Sequence, residues 1–104
     1  MKRPVRWERE ALDDFKAQIG YIAADNPHAA QRVAHRIQAA VASLGDIITG
    51  RPGGVAGTYE KVVTHLPYII AFEISSSRQG EAVTILRVIH TARDWPANEW
   101  PGSS

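Results

Sequence analysis

The sequence contains no cysteine. That absence excludes a disulfide framework, thiolate zinc sites and cysteine nucleophiles, and it fits a reducing compartment. Neither sign of charge is in excess, with 12 Lys and Arg against 11 Asp and Glu and a formal net charge of +1. Overall charge therefore argues neither for nor against nucleic acid; only a local patch can. No apolar run approaches the length of a bilayer span, and the basic start Met1-Lys2-Arg3 leads into no apolar signal core. A soluble, cytoplasmic protein is expected. Repeats and low-complexity segments are also lacking.

At 104 residues the chain is expected to form one domain. Burial of about two thirds of its unfolded surface would supply a core without metal or disulfide. Only residues 97–104 read as a flexible tail, with Trp100 as an anchor.

What the sequence does carry is a run of β-branched and apolar residues, Val83 to Ile89, interrupted by Arg87 and closed by His90. Val83, Ile85 and Ile89 fall on one alternating set and Leu86 and Val88 on the other, which predicts a central strand covered on both faces. Arg87 inside that run is costly unless it finds a carboxylate or reaches the rim. The charged, aromatic segment Thr91 to Pro96 follows at once, so the functional surface is expected here.

Earlier in the chain, Val5 and Trp7 alternate with Arg6 and Glu8 and predict a short first strand. Pro4 has no donor, which places that strand at an edge. From Glu8 the spacing becomes helical: Ala11, Leu12, Phe15, Ile19, Ile22 and Ala23 form one apolar stripe, with Asp13, Asp14, Lys16 and Gln18 off it. Gly20 costs about 1 kcal/mol relative to alanine in a helix, so close packing or a weakened turn is expected there.

The sharpest local signal is Asn26-Pro27, an N-cap followed by a proline suited to the first helical position. The second helix carries Ala30, Val33, Ala34, Ile37, Val41, Leu44 and Ile48 on one stripe, with Arg32, His35, Arg36 and Gln38 mostly opposite. So short a connection predicts an antiparallel helical hairpin.

Gly50-Arg51-Pro52-Gly53-Gly54 then ends the periodicity. No Gly-Lys-Ser/Thr follows and the segment leads into a strand, so an ordinary loop is preferred to a phosphate cradle. Three strand-like runs complete the chain, at 58–65, 67–75 and 82–90. The cluster Ser75 to Gly80 supplies the turn between the last two. The predicted fold class is α+β, in the order β-α-α-β-β-β, with a helical hairpin packed on a small, mostly antiparallel sheet.

The motifs of familiar enzymes are missing. His28, His35, His65 and His90 form no HExxH, and no GxSxG elbow is present. His28 and His35, seven apart, share a helix face; exposed histidines are preferred there to a metal site. No metal and no cofactor is expected. Metal-free RNA cleavage would need cations on the phosphate and a His or Tyr to move protons. Tyr59, Lys61, His65, Tyr68, Arg87, His90 and Arg93 are the candidates, each with an ordinary structural alternative.

The element order, Asn26-Pro27, Gly50-Arg51-Pro52-Gly53, Pro67-Tyr68-Ile69-Ile70-Ala71-Phe72 and above all Ile85-Leu86-Arg87-Val88-Ile89-His90-Thr91-Ala92-Arg93-Asp94-Trp95-Pro96 together resemble the RelE/ParE toxin superfamily. The ending resembles the ParE branch, also labelled plasmid-stabilisation proteins, of type II toxin–antitoxin modules. The resemblance spans nearly the whole chain. It implies a toxin neutralised by a ParD-like antitoxin, and it divides the activity in two. ParE-type members poison DNA gyrase without hydrolysis; RelE-type members are ribosome-dependent messenger endoribonucleases.

Ribonuclease members typically place an Arg where Tyr68 stands and a catalytic Tyr or His-Tyr pair near the C-terminus, where this sequence reads Arg93-Asp94-Trp95. Tryptophan has no titratable proton, and tyrosine offers no guanidinium to phosphate. A gyrase-binding protein is therefore the favoured expectation, with Arg87, His90, Arg93 and Trp95 as target contacts. The alternatives are a ribonuclease using His90, Arg87, Tyr59 and Lys61, and an inactive antitoxin-binding module. In purely structural roles Arg87 would pair with Glu73, Asp94 with Arg93, and Trp95 would cover a sheet edge.

An open sheet has edges that invite strand addition. The groove between hairpin and sheet suits an amphipathic antitoxin helix, through Leu12, Phe15, Ile19, Tyr68 and Ile70. An antitoxin tail that folds on binding is expected, with at least two toxin copies in the assembly if the antitoxin dimerises. No membrane partner and no direct, specific nucleic-acid binding is expected.

Overall fold

A computed structural model describes residues 2–92. The expected positions of Arg93, Trp95 and the tail 97–104 lie outside the described residues. The order is β1 (Val5–Trp7), α1 (Arg9–Ala23), α2 (Pro27–Ser43), β2 (Arg51–Pro52), β3 (Thr58–Val62), β4 (Tyr68–Ser77) and β5 (Gly80–His90). Two helices thus pack on a five-stranded mixed sheet of strand order β1-β5-β4-β3-β2. β1 runs parallel to β5 and every other pair is antiparallel. The α+β class and the order read from the sequence match this fold, with two additions.

The first addition is β2, a two-residue strand inside the glycine-rich segment, where Arg51 and Pro52 pair with Glu60 and Tyr59. It is too short to leave a periodic signal. Gly50 makes the turn possible: its φ is +128°, and a Cβ there would lie 2.5 Å from the Glu60 carbonyl oxygen. Only glycine has neither the left-handed penalty nor the clash. The second is a bulge in β5. Ala71 pairs with Arg87 and Phe72 with Ile85, leaving Leu86 without an opposite residue.

That extra residue resets the alternation of side chains. Ile85 and Val88 both point into the main core, while Leu86 joins Ala71, Ile89 and Val55 on the opposite face. The grouping of Val83, Ile85 and Ile89 on one face and Leu86 with Val88 on the other is thereby corrected. A period of two cannot survive an inserted residue.

The main core lies between hairpin and sheet: Ala11, Ile37, Val41 and Leu44 from the helices meet Tyr68, Ile70, Phe72, Val83, Ile85 and Val88 from the strands. The helix boundary is as the sequence implies. Asn26 is the N-cap, its Oδ1 accepting from the Ala29 N–H at 3.0 Å, and Pro27 opens α2. The hairpin turn between β4 and β5 is tighter than expected, because Ser77 already pairs with Gly80 and only Arg78 and Gln79 lie between. Gly20 makes no close packing. A Cβ there would meet nothing within 4 Å, so the weakened-turn alternative holds.

Candidate functional site

The geometry centres on Arg87, at the bulge. Its Nε donates to Asp14 Oδ2 at 2.6 Å and its Nη2 to Asp14 Oδ1 at 3.0 Å, a two-pronged clamp between β5 and α1. Beside the bulge, the Val88 N–H also donates to Asp14 Oδ2, at 3.0 Å. Glu10, one turn earlier on the same helix, stands 4.0 Å from Arg87 Nη1. The expected pairing of Arg87 with Glu73 is therefore corrected. Glu73 pairs across the ladder with Thr84, two positions beyond the bulge, whereas the bulge and α1 together bring Asp14 to the guanidinium.

Asp14 is the residue that sequence reasoning missed. It was set off the apolar stripe with Gln18, yet Ala11, Asp14 and Gln18 follow the three- and four-residue spacing of one helix face. Ala11 and Gln18 are both buried on the sheet side of α1. Leu12, expected on the apolar stripe, is instead 39% exposed. The helix is rotated so that polar groups serving β5 lie inward, and Leu12 lines an open flank.

The remaining candidates do not converge on one point. Tyr59 stacks on Phe72 (centroids 5.6 Å, planes at 24°). Lys61 donates through Nζ to the Thr49 hydroxyl. His90 sits edge-on to Tyr68 with centroids 5.2 Å apart, and its Nδ1 accepts from the Ala92 N–H. His90 pairs with Tyr68 and Tyr59 with Phe72, so these two proton-transfer candidates lie four residues apart along β4, roughly 13 Å. His65 is exposed in the turn before β4, at φ 64°. His28 and His35 are exposed on α2, as preferred. Among the described residues no three of His, Asp and Glu gather as metal ligands.

An apolar cleft of about 380 Å³ opens where α1, α2 and β1 meet, lined by Val5, Trp7, Leu12, Phe15, Gln38, Val41 and Ala42. Trp7 and Phe15 form its aromatic wall, edge to face at 5.6 Å. Leu12 and Phe15, two of the expected antitoxin contacts, thus border an accessible hollow, and Ile19 is half-buried one turn further along α1. Tyr68 and Ile70 differ from expectation. Both are buried in the core, because alternate residues of β4 point under the helices, so they belong to the fold rather than to an open surface. No helix among the described residues is long and apolar enough to cross a membrane.

Comparison with known proteins agrees with this architecture. Residues 5–95 match the family model described as the ParE toxin of type II toxin-antitoxin system, parDE. A Sinorhizobium fredii protein carrying the toxin name Y4kP is 38% identical over 96 residues, covering 91% of this chain and 95% of that relative. The chromosomal ParDE TA system from P. aeruginosa has a chain of the same fold, with a TM-score of 0.73 and 23% identity over 84% of this chain and 94% of that one. Family match, relative and fold all agree: the chain belongs to the ParE toxin family of type II toxin–antitoxin systems.

Proposed function

We propose that this toxin acts by binding a macromolecular target, DNA gyrase, and that a ParD-like antitoxin neutralises it. The observation that carries the first half is the commitment of Arg87 to Asp14. A nuclease needs a guanidinium or ammonium held toward phosphate and a proton donor within reach of the same bond. Here the strand cation is neutralised by a carboxylate that also holds the backbone. Tyr59, Lys61 and His90 are engaged separately. With Arg87, expected among the target contacts, committed to Asp14, the target surface is the end of β5 with His90, continuing in sequence through Arg93 and Trp95. An aromatic beside cationic groups is the composition of an interface anchor.

The antitoxin half rests on the cleft. Its apolar lining between two helices and an edge strand suits one or two large side chains of an amphipathic helix. β1, only three residues long and at the sheet edge, offers backbone groups to an added strand.

The test is supercoiling of relaxed plasmid by purified gyrase with and without the toxin. Inhibition, with cleaved DNA trapped on the enzyme, is expected, and prior addition of the antitoxin should abolish it. No inhibition at large excess, together with cleavage of ribosome-bound messenger, would overturn the gyrase reading in favour of the nuclease one.

A further inference from the structure

The outer face of α2 has no role in this reading, and its chemistry is one-sided. The helix contains Arg32, Arg36, His28 and His35 and not one carboxylate, in a chain whose charges otherwise nearly balance. Positions 28, 32, 35 and 36 fall within an arc of about 100° on the helix, on the far side from the buried Ala30, Ile37 and Val41. All four side chains are exposed. Among the described residues none of the four has a side-chain hydrogen bond or an ion pair. The charged or titratable groups of α1, the helix packed against α2, are Arg9, Glu10, Asp13, Asp14, Lys16 and Tyr21, and Asp25 lies in the connecting turn. No salt bridge joins any of these to α2.

From this unpaired stripe we propose that the outer face of α2 binds the phosphate backbone of double-stranded DNA, without reading its sequence. Charge complementarity names a polyanion, and what the stripe lacks names which one. A docked polypeptide needs large apolar or aromatic anchors, but the exposed neighbours on this face are the small or polar Gln31, Ala39, Ala42 and Ser43. Single-stranded nucleic acid needs aromatic side chains on which bases stack, and α2 has none. What remains is a straight row from His28 to Arg36, roughly 12 Å long by helix rise, that lays two guanidinium groups and two imidazole N–H donors along a duplex phosphate backbone.

The test is fluorescence anisotropy of a labelled random-sequence duplex with the full-length toxin, as a function of salt. Each neutralised phosphate contributes about −0.9 to the slope of log K against log salt, so the two arginines give an expected slope of about −1.8. Arg32→Gln with Arg36→Gln should remove binding. Lys16→Gln, the same loss of one charge as Arg36→Gln but on exposed α1, should reduce affinity by less than about twofold. The proposal is overturned if duplex binding is absent at low salt, if Lys16→Gln weakens it as much as Arg36→Gln, or if single-stranded DNA or polyglutamate binds more tightly through the same arginines.

Discussion

The clamp between Asp14 and Arg87 makes a quantitative prediction. In Asp14→Asn the side chain keeps its shape but loses its charge, and one carboxylate oxygen becomes an amide that faces a guanidinium donor. Hydrogen bonds to charged groups contribute about 1.5–3 kcal/mol each. Asp14 accepts three, two from Arg87 and one from the Val88 N–H. The amide oxygen retains some of these, and Arg87, with 37% of its side chain exposed, recovers water when released. A net loss of about 2 kcal/mol follows, against the 3–5 kcal/mol typical of breaking a fully buried pair. In a domain of this size about 1 kcal/mol moves Tm by about 4–8 °C, so the variant should melt roughly 8–16 °C lower by circular dichroism. Arg87→Met keeps the apolar stem, and the Asp14→Asn/Arg87→Met cycle should give a coupling of at least about 1 kcal/mol. A Tm within about 2 °C of wild type for Asp14→Asn, or additive single changes, would refute the clamp as a determinant of the fold.

Four further outcomes follow from single observations. Gly20→Ala should raise stability by about 0.5–1 kcal/mol, because the helix gains a better former and the added methyl meets nothing within 4 Å; a lower midpoint in urea would show that the position is not open. Gly50→Ala should cost about 2 kcal/mol, from the positive φ and the close Glu60 carbonyl together, read in the same denaturation experiment. Asn26→Ala should cost about 1 kcal/mol by removing the cap on the Ala29 N–H, and Asn26→Ser should restore most of it. Leu12→Asp, at the mouth of the cleft, should weaken antitoxin capture at least about tenfold while the toxin's melting temperature stays within about 4 °C, measured by titration calorimetry and thermal melts on the same samples.

Which parts of this molecule were legible in its sequence depended on whether a local rule applied. The capped start of α2 was legible because Asn26 and Pro27 act within one turn, and the strands because β4 and β5 hold long β-branched runs. The position of Arg87 inside such a run implied a carboxylate partner, which is what the fold contains. Which carboxylate it was depended on the bulge at Leu86 and the rotation of α1, and neither follows from periodicity. Glu73, the nearer choice on an unbroken ladder, sits in a row with Thr84. Asp14 was concealed by its polarity on a face where Ala11 and Gln18 are buried. The same rotation shapes the surface proposed for the antitoxin. It exposes Leu12 beside the cleft, while the alternation of β4 carries Tyr68 and Ile70 beneath the helices.

The clamp also changes how loss of toxicity should be interpreted. Arg87 lies in the stretch most suggestive of a target surface, so a substitution there that abolishes toxicity would ordinarily be taken as the loss of a contact. Its two bonds to Asp14 tie the central strand to α1, and the same carboxylate holds the Val88 N–H. Removing the guanidinium therefore perturbs the seating of the helix that carries Leu12 and Phe15, and with it the cleft proposed for the antitoxin. Contact and scaffold roles separate only when binding of both partners is measured on folded protein. A contact role predicts that Arg87→Lys loses gyrase inhibition but binds antitoxin as well as wild type. A scaffold role predicts that the two losses move together, and that Asp14→Asn, which leaves the guanidinium in place, reproduces both. The geometry favours the scaffold outcome, because lysine supplies one point charge where the carboxylate now accepts a planar fork.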